Sequence, residues 1–278
     1  MHVPDVLDAI LAPVRLLAHE VWRWLPIVVA LAMLSALPGI FLQVMAPEAL
    51  SLLGGWMALD PDLLFTGLMI FVMAWSLKLL LELVAYMLVF IVLADLTAGR
   101  PSDLGGGLRR LASWRLQGAW IVAGLLEQTA IDLWFFGGGL LLIPFGLVTV
   151  TAYEEANGFT AFGRSLALGK LPLGQTPAGV RIAAAATAGF FVGMVVSGVL
   201  GVIEWAVTPS GTGALLMSLM SGTIPETGFS LPAYSWVDAA IGLFLAPFGL
   251  LPTVYLMALQ QDTYWRVRTL EEEQGGAA

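Results

Sequence analysis

The chain has 278 residues, of which 59% are hydrophobic and 12% charged, with a formal net charge of −8 and no cysteine. A charged share about half that of a soluble domain excludes an ordinary water-soluble fold, and the missing cysteines exclude disulfides, thiol catalysis and cysteine-ligated metals. The acidic balance names no partner, because the sign of the charge differs from one side of a membrane to the other.

The chain begins MHVPDVLDAILAPVR, acidic before it is basic, and its apolar run passes into a full span, so it reads as no cleavable signal. Over residues 5–24 the apolar side chains Leu7, Ile10, Leu11, Val14, Leu17 and Val21 recur at the 3–4 spacing of one helical face, with Asp8, Arg15 and Arg23 largely off it. That pattern predicts an interfacial helix lying in the membrane plane, kinked at Pro13.

Six membrane spans follow, at about 24–46, 64–94, 118–136, 139–153, 182–204 and 237–259, in a single transmembrane domain over residues 1–278. Each is expected to be a helix, because lipid offers no partner for an unpaired backbone N–H or C=O. The fold class is therefore all-α and polytopic. The fourth span is short: its residues rise about 22 Å against a hydrocarbon core of about 30 Å. Gly137, Gly138 and Gly139 turn the chain between spans three and four, which either cross fully or form a re-entrant hairpin.

Arginine and lysine orient the protein. Arg15 and Arg23 precede span one; Arg100, Arg109, Arg110 and Arg115 separate spans two and three; Arg164, Lys170 and Arg181 separate spans four and five; Arg266 and Arg268 follow span six. The opposite loops, 47–63 and 205–236, contain neither residue. The basic side is assigned to the cytoplasm, both termini included. Tryptophans fall near the predicted span ends, except Trp75.

Charges inside the spans are few. Lys78 and Glu82 are four residues apart on span two, on one helical face, and Glu127 lies on span three. Each charge at mid-depth costs about 2.5–3.5 kcal/mol on insertion scales, so the three are expected to form a polar network. That network is either a structural ion pair or a path for a proton or solute. Only His2 and His19 offer imidazole, both ahead of span one. No GxSxG or HExxH pattern occurs, and the expectation is no catalysis, no metal and no cofactor. The sparse basic residues fit topology rather than nucleic acid.

GLLLIPFGL at 139–147 returns as GLFLAPFGL at 242–250. Proline removes its own N–H and crowds the carbonyl four residues back, and a glycine at +2 permits close approach. Pro144 with Gly146, and Pro247 with Gly249, thus predict two bent helices of the same direction, with hairpins three–four and five–six as parallel repeats. After the first copy, Thr160 is expected to cap a short cytoplasmic amphipathic helix, 161–170, which Pro172 stops and whose Arg164 and Lys170 reach anionic headgroups.

The run LLLIPFGLVTVTAYEEANGFTAFGRSLALGK (140–170) resembles a region shared by YciC-like bacterial multi-span proteins and the membrane domain associated with glycerophosphoryl diester phosphodiesterases. The resemblance places that family's motif on Pro144, Gly146, Glu154 or Glu155, Gly158, Ala161, Arg164, Ser165, Leu168 and Gly169. DLTAGRPSDLGGGLRRL (95–111) is similar to the family's second cytoplasmic segment, and Arg266-Val-Arg268 to its C-terminal end. The family implies a bacterial membrane location but little about function.

The expectation is a non-catalytic accessory or structural subunit of a membrane complex, or a membrane-homeostasis factor. Its partners would be membrane lipids and other subunits or a second copy. Small residues over 183–201 permit close helix contacts. The rival reading is a carrier or channel for a small or amphiphilic solute, built around Lys78, Glu82 and Glu127.

Overall fold

A computed structural model describes residues 3–45, 61–101, 103–207 and 236–275; the outer segments expected around 47–60 and 208–235 lie outside the described residues. The described chain is almost wholly helical. Its α-helices in chain order are α1 (Val3–His19), α2 (Val21–Met45), α3 (Pro61–Thr97), α4 (Leu104–Leu111), α5 (Trp114–Asp132), α6 (Leu142–Phe145), α7 (Val148–Glu155), α8 (Ala161–Lys170), α9 (Ala178–Val207) and α10 (Trp236–Gly275). A two-stranded hairpin pairs β1 (Pro172–Leu173) with β2 (Thr176–Pro177), antiparallel, and Gly174 with φ +70° sits in its turn.

Among the described residues two helices, Ala178–Ile203 and Ala239–Glu273, are long and apolar enough to cross a membrane. A third qualifies if Leu7–His19 and Val21–Leu34, bent by 87°, act as one span. This makes the chain a membrane protein by length and composition. The bend falls not at Pro13, through which α1 runs unbroken, but at Glu20. There the Trp24 indole N–H donates to the Leu17 carbonyl at 2.8 Å, and the ring is buried.

Two expected spans are redrawn. The fourth is not one helix over 139–153. Trp134–Phe136 and Gly138–Leu141 form 3-10 turns, α6 is a single turn, and Gly146 and Leu147 break the chain before α7. Gly137 adopts φ +86°, a conformation an L side chain resists, and a Cβ on Gly138 would lie 2.6 Å from the Ala130 carbonyl oxygen. The sixth helix does not end near 259 but continues to Gly275. Its polar continuation keeps a buried stripe, Leu259, Thr263, Tyr264 and Val267. Pairs one turn apart support the outer side: Arg266 to Asp262 at 2.9 Å and Arg268 to Glu272 at 3.3 Å.

The near-identical nonapeptides therefore carry different backbones: Pro144 precedes a break, whereas Pro247 lies inside uninterrupted α10. Their surroundings explain the contrast. A Cβ on Gly146 would meet the Leu142 carbonyl oxygen at 2.6 Å and Ile182 Cγ2 at 3.0 Å, while one on Gly249 meets nothing within 4 Å among the described residues.

The chain divides into two compact units. The first comprises Met1–Leu25, Met87–Gly193 and Leu251–Ala278. Its core is the fully buried run Val89–Ala94 at the end of α3, with Trp120, Leu147, Tyr153, Leu168, Ile182 and Met257. Phe90 meets Trp120 and Tyr153 edge-on, at centroid distances of 5.9 and 5.4 Å. Asp103 caps α4 by accepting from the Gly106 N–H at 2.8 Å, and Gly107 lies against Ile91. The second unit comprises Pro26–Tyr86 and Met194–Leu250. On α3 it exposes Phe65, Met69, Val72, Leu80 and Val84 at helical spacing, and on α10 Phe244 and Phe248. Such apolar stripes are what lipid tails cover and water does not.

Backbone contact separates two superficially similar glycines. A Cβ on Gly179 would sit 2.1 Å from the Ile143 carbonyl oxygen, whereas one on Gly163 meets nothing within 4 Å among the described residues. Gly179→Ala is expected to destabilise by about 2–3 kcal/mol. Gly163→Ala is expected to stabilise by up to about 1 kcal/mol, since Gly163 is an exposed helix-interior position. Thermal unfolding of each purified variant in detergent checks both signs.

Candidate functional site

The candidate site is built from two layers of the first unit, one ionic and one buried and polar. The ionic layer begins where α3 ends. Arg100 N follows the last turn and bonds the Asp95 carbonyl at 2.8 Å, so the chain turns back on itself. This brings the Arg100 guanidinium to Glu154 at the end of α7, with Nη1 and Nη2 donating to the two carboxylate oxygens at 3.1 and 2.7 Å. Asp95 Oδ1 lies 3.4 Å from Arg100 Nε, and Asp95 Oδ2 accepts from the Asp103 N–H at 2.9 Å. The Arg100 charge also lies over the Trp265 ring, 6.0 Å from its centroid.

Glu155 takes a different cation. Arg164 on α8 donates through Nε to Glu155 and through Nη1 and Nη2 to Glu271 at 2.6 and 2.5 Å. Glu155 also accepts from Asn157 at 3.0 Å and from the Tyr264 hydroxyl at 3.3 Å. Thus both glutamates of the pair are engaged, each with its own arginine. Arg164 does not reach towards headgroups as expected; it is turned inward between two carboxylates, while Lys170 is exposed. A third knot joins the chain's two ends. Asp8 of α1 accepts from Arg181 of α9 at 2.7 Å and from Arg266 of α10 at 2.9 Å.

The remaining motif residues seat α8 on the broken helix. Gly158 adopts φ +57° in the turn after α7, preceded by Ala156 in the same left-handed region. The Ser165 hydroxyl donates to the Pro144 carbonyl at 3.0 Å, and a Cβ on Gly169 would meet the Ile143 carbonyl oxygen at 3.1 Å. Thr160 is not the cap the sequence suggested: its hydroxyl donates back to the Asn157 carbonyl at 2.6 Å and makes no bond to α8's free N–H groups.

The buried layer centres on Glu127 of α5, which is 4% exposed. Its Oε1 accepts from the Thr149 hydroxyl of α7 at 3.0 Å and from Gln260 Nε2 of α10 at 2.9 Å. Thr149 and Gln260 are both 0% exposed. Lys78 and Glu82 lie one turn apart on α3, but their side chains fall outside the described residues, as do those of Glu204 and Asp238. Gln260 Oε1 and both amide atoms of Gln261 are buried with no hydrogen-bond partner among the described residues. Each such atom costs about 1–3 kcal/mol if nothing joins it.

Sequence reading missed Asp8, Asp95, Arg100, Glu271 and Gln260. The spacing of Arg268 with Glu271 and Glu272 was a visible signal for a continuing helix. Asp95 meets its near neighbours Arg100 and Asp103, whereas the other pairings join residues 54 to 258 positions apart, which no local pattern encodes.

Among the described residues no group of three or more His, Cys, Asp or Glu is placed to hold a metal. Comparison with protein-family models, with curated proteins and with solved structures gives no match.

The hydrogen bonds it donates to Glu271 hold the Arg164 guanidinium charged more firmly than usual, with Glu155 adding to the effect against desolvation. In turn the bonds from Arg164 hold the Glu271 carboxyl below its ordinary 4.5. The stabilisation is therefore complete above pH 4.5 and is lost as pH falls through the lowered value in the folded protein. Glu271→Gln is expected to remove that acid-sensitive step from the unfolding profile, and Arg164→Met to cost about 2–3 kcal/mol at neutral pH.

Proposed function

We propose that the chain is a six-span bacterial inner-membrane protein of the YciC-like kind, with its basic side and both termini in the cytoplasm, acting as a non-catalytic accessory or structural subunit. The observation that carries this reading is the use made of its ionised groups. Arg100, Arg164, Arg181 and Arg266 each bind a carboxylate on another helix or loop, and the carboxylates Asp8, Glu154, Glu155 and Glu271 are their partners. Groups tied in this way fix helix ends in place instead of offering an acid, base or nucleophile to a substrate.

Helix α9 supports the packing role. Gly189 lies against Tyr255 and Gly193 against Pro252, so this part of the small-residue face seats α10. A Cβ on Gly198 or Gly201 meets nothing within 4 Å among the described residues, which suits approach by a helix of another subunit or a second copy. Lipids cover the remaining apolar faces. The scheme involves no cofactor and no nucleic acid.

A carrier for a small or amphiphilic solute is the second reading. The buried Glu127, Thr149 and Gln260 favour it, set beside a discontinuous helix of the sort that transporters use at their binding sites.

Gentle-detergent purification followed by mass spectrometry is expected to recover a defined membrane partner or a homo-oligomer, and Gly198→Leu with Gly201→Leu should disperse it. If instead Lys78→Met with Glu82→Gln leaves assembly and abundance intact while a transport phenotype disappears, the structural reading fails. The topology has its own check, since the chain has no cysteine of its own. Arg109→Cys should label only from the cytoplasmic side and Leu215→Cys only from outside; labelling of both in one compartment would refute the six-span arrangement.

A further inference from the structure

Helix α1 is tied to the first unit by a carboxylate and turns its larger apolar side chains away from it. Asp8 accepts from Arg181 of α9 at 2.7 Å and from Arg266 of α10 at 2.9 Å. The Tyr255 hydroxyl donates to the Ile10 carbonyl at 3.3 Å. These bonds fix the roll of α1 about its own axis. The side held against the unit carries small residues, the buried Ala9, Ala12 and Pro13. On the opposite side Leu7 is 54% and Val14 46% exposed, Leu11 is half-buried and Ala18 is exposed. Positions 7, 11, 14 and 18 make one continuous stripe at helical spacing. In water the hydrophobic effect would roll such a helix the other way, its leucines inward and its alanines outward.

Two further observations say what covers the stripe. At Glu20 the chain turns by 87° into the almost wholly apolar α2. The 25 residues of α2 rise about 37 Å, enough to cross a hydrocarbon core of about 30 Å. A helix set at right angles to a spanning helix runs along the bilayer surface. At the corner Trp22 is 84% exposed, and an indole suits the lipid–water boundary. Charge contributes little. Arg15 lies 3.8 Å from Asp8, and Arg23 and His19 meet Glu20 at 3.5 and 3.2 Å. Cations already beside carboxylates add little attraction for anionic headgroups.

We propose that α1 is an ionically latched surface helix whose partner is the lipid bilayer itself. Leu7, Leu11, Val14 and Ala18 enter the boundary between headgroups and acyl chains by apolar insertion, and Asp8 is the positioning residue that aims them. Through that one carboxylate, lipid contact is joined to the start of α9 and the polar end of α10. This role rests on the membrane reading of the whole chain, which labelling of positions 109 and 215 tests separately.

The test uses the full chain in vesicles of phosphatidylethanolamine and phosphatidylglycerol, and needs no cysteine removed. Leu7→Cys, Val14→Cys, Ala18→Cys and His19→Cys each carry one nitroxide, whose collisions with oxygen in lipid and with a nickel complex in water are compared. Positions 7, 14 and 18 are expected to favour oxygen at a depth of about 5–10 Å. Position 19, about 110° around the helix from the stripe, is expected to favour nickel. The depth is expected to hold between about 0.05 and 0.5 M salt. Nickel access at 7 and 14 would place the stripe in water, protection from both reagents would place it under protein, and a depth that falls with salt would make the contact electrostatic; each result overturns the proposal. Added to Val14→Cys, Asp8→Asn is expected to lower the oxygen-to-nickel ratio at least about threefold, and an unchanged ratio overturns the latch. Should Asp8→Asn fail to fold, Arg266→Gln leaves Asp8 on Arg181. It is expected to lower the ratio about twofold, and here too an unchanged ratio overturns the latch.

Discussion

A charged side chain withdrawn from water has to meet its opposite within the protein, and the first compact unit is organised around that demand. Arg164 meets it with two carboxylates at once, Glu155 and Glu271. Arg100 meets it with Glu154 and Asp95, and Asp8 with two arginines. Planar guanidinium groups suit the task because their fork matches a carboxylate in two parallel bonds, which fixes direction as well as distance. The pairs of Arg100 with Glu154, Arg164 with Glu271, and Asp8 with Arg181 and Arg266 join elements far apart in sequence, so they set which helix end lies beside which. Removing one partner is costlier than the pair is favourable, because the other charge is left stranded.

The backbone faces a parallel demand. Where α6 gives way to α7, Pro144 O takes the Ser165 hydroxyl, while Leu147 O opens α7 by taking the Thr151 N–H at 2.9 Å and its hydroxyl at 2.6 Å. Glycine supplies the rest of the solution. At Gly169 and Gly179 the absence of a side chain lets α8 and the start of α9 lie directly on the Ile143 carbonyl. Pro144, Ser165 and Gly169 thus seat the short helix on the break.

Long helices were legible in the sequence because hydropathy over some twenty residues is a strong, local signal. The α8 helix was legible to the residue, since Pro172 fixes φ and cannot continue it. Its supposed cap was not, because Thr160 had a nearer acceptor in Asn157. The break in the fourth span was only half visible. Proline and glycine announced a bend, yet the same letters at 242–250 run straight through a helix, because what surrounds the second glycine leaves it room. The ionic layer was legible as charges but not as pairs. Searching for charged residues also passed over Gln260, which bears no charge yet is entirely buried against a carboxylate.

The first unit is drawn from three stretches of chain, and the last of them, Leu251–Ala278, emerges from the ribosome after everything it binds. Until Glu271 and Arg266 arrive, Arg164 and Asp8 wait without their distant partners. A nascent chain stalled or cut before residue 262 would hold Arg164 against Glu155 alone and Asp8 against Arg181 without Arg266. Translation of α10 in this way finishes the ionic layer, and that helix serves as the clasp.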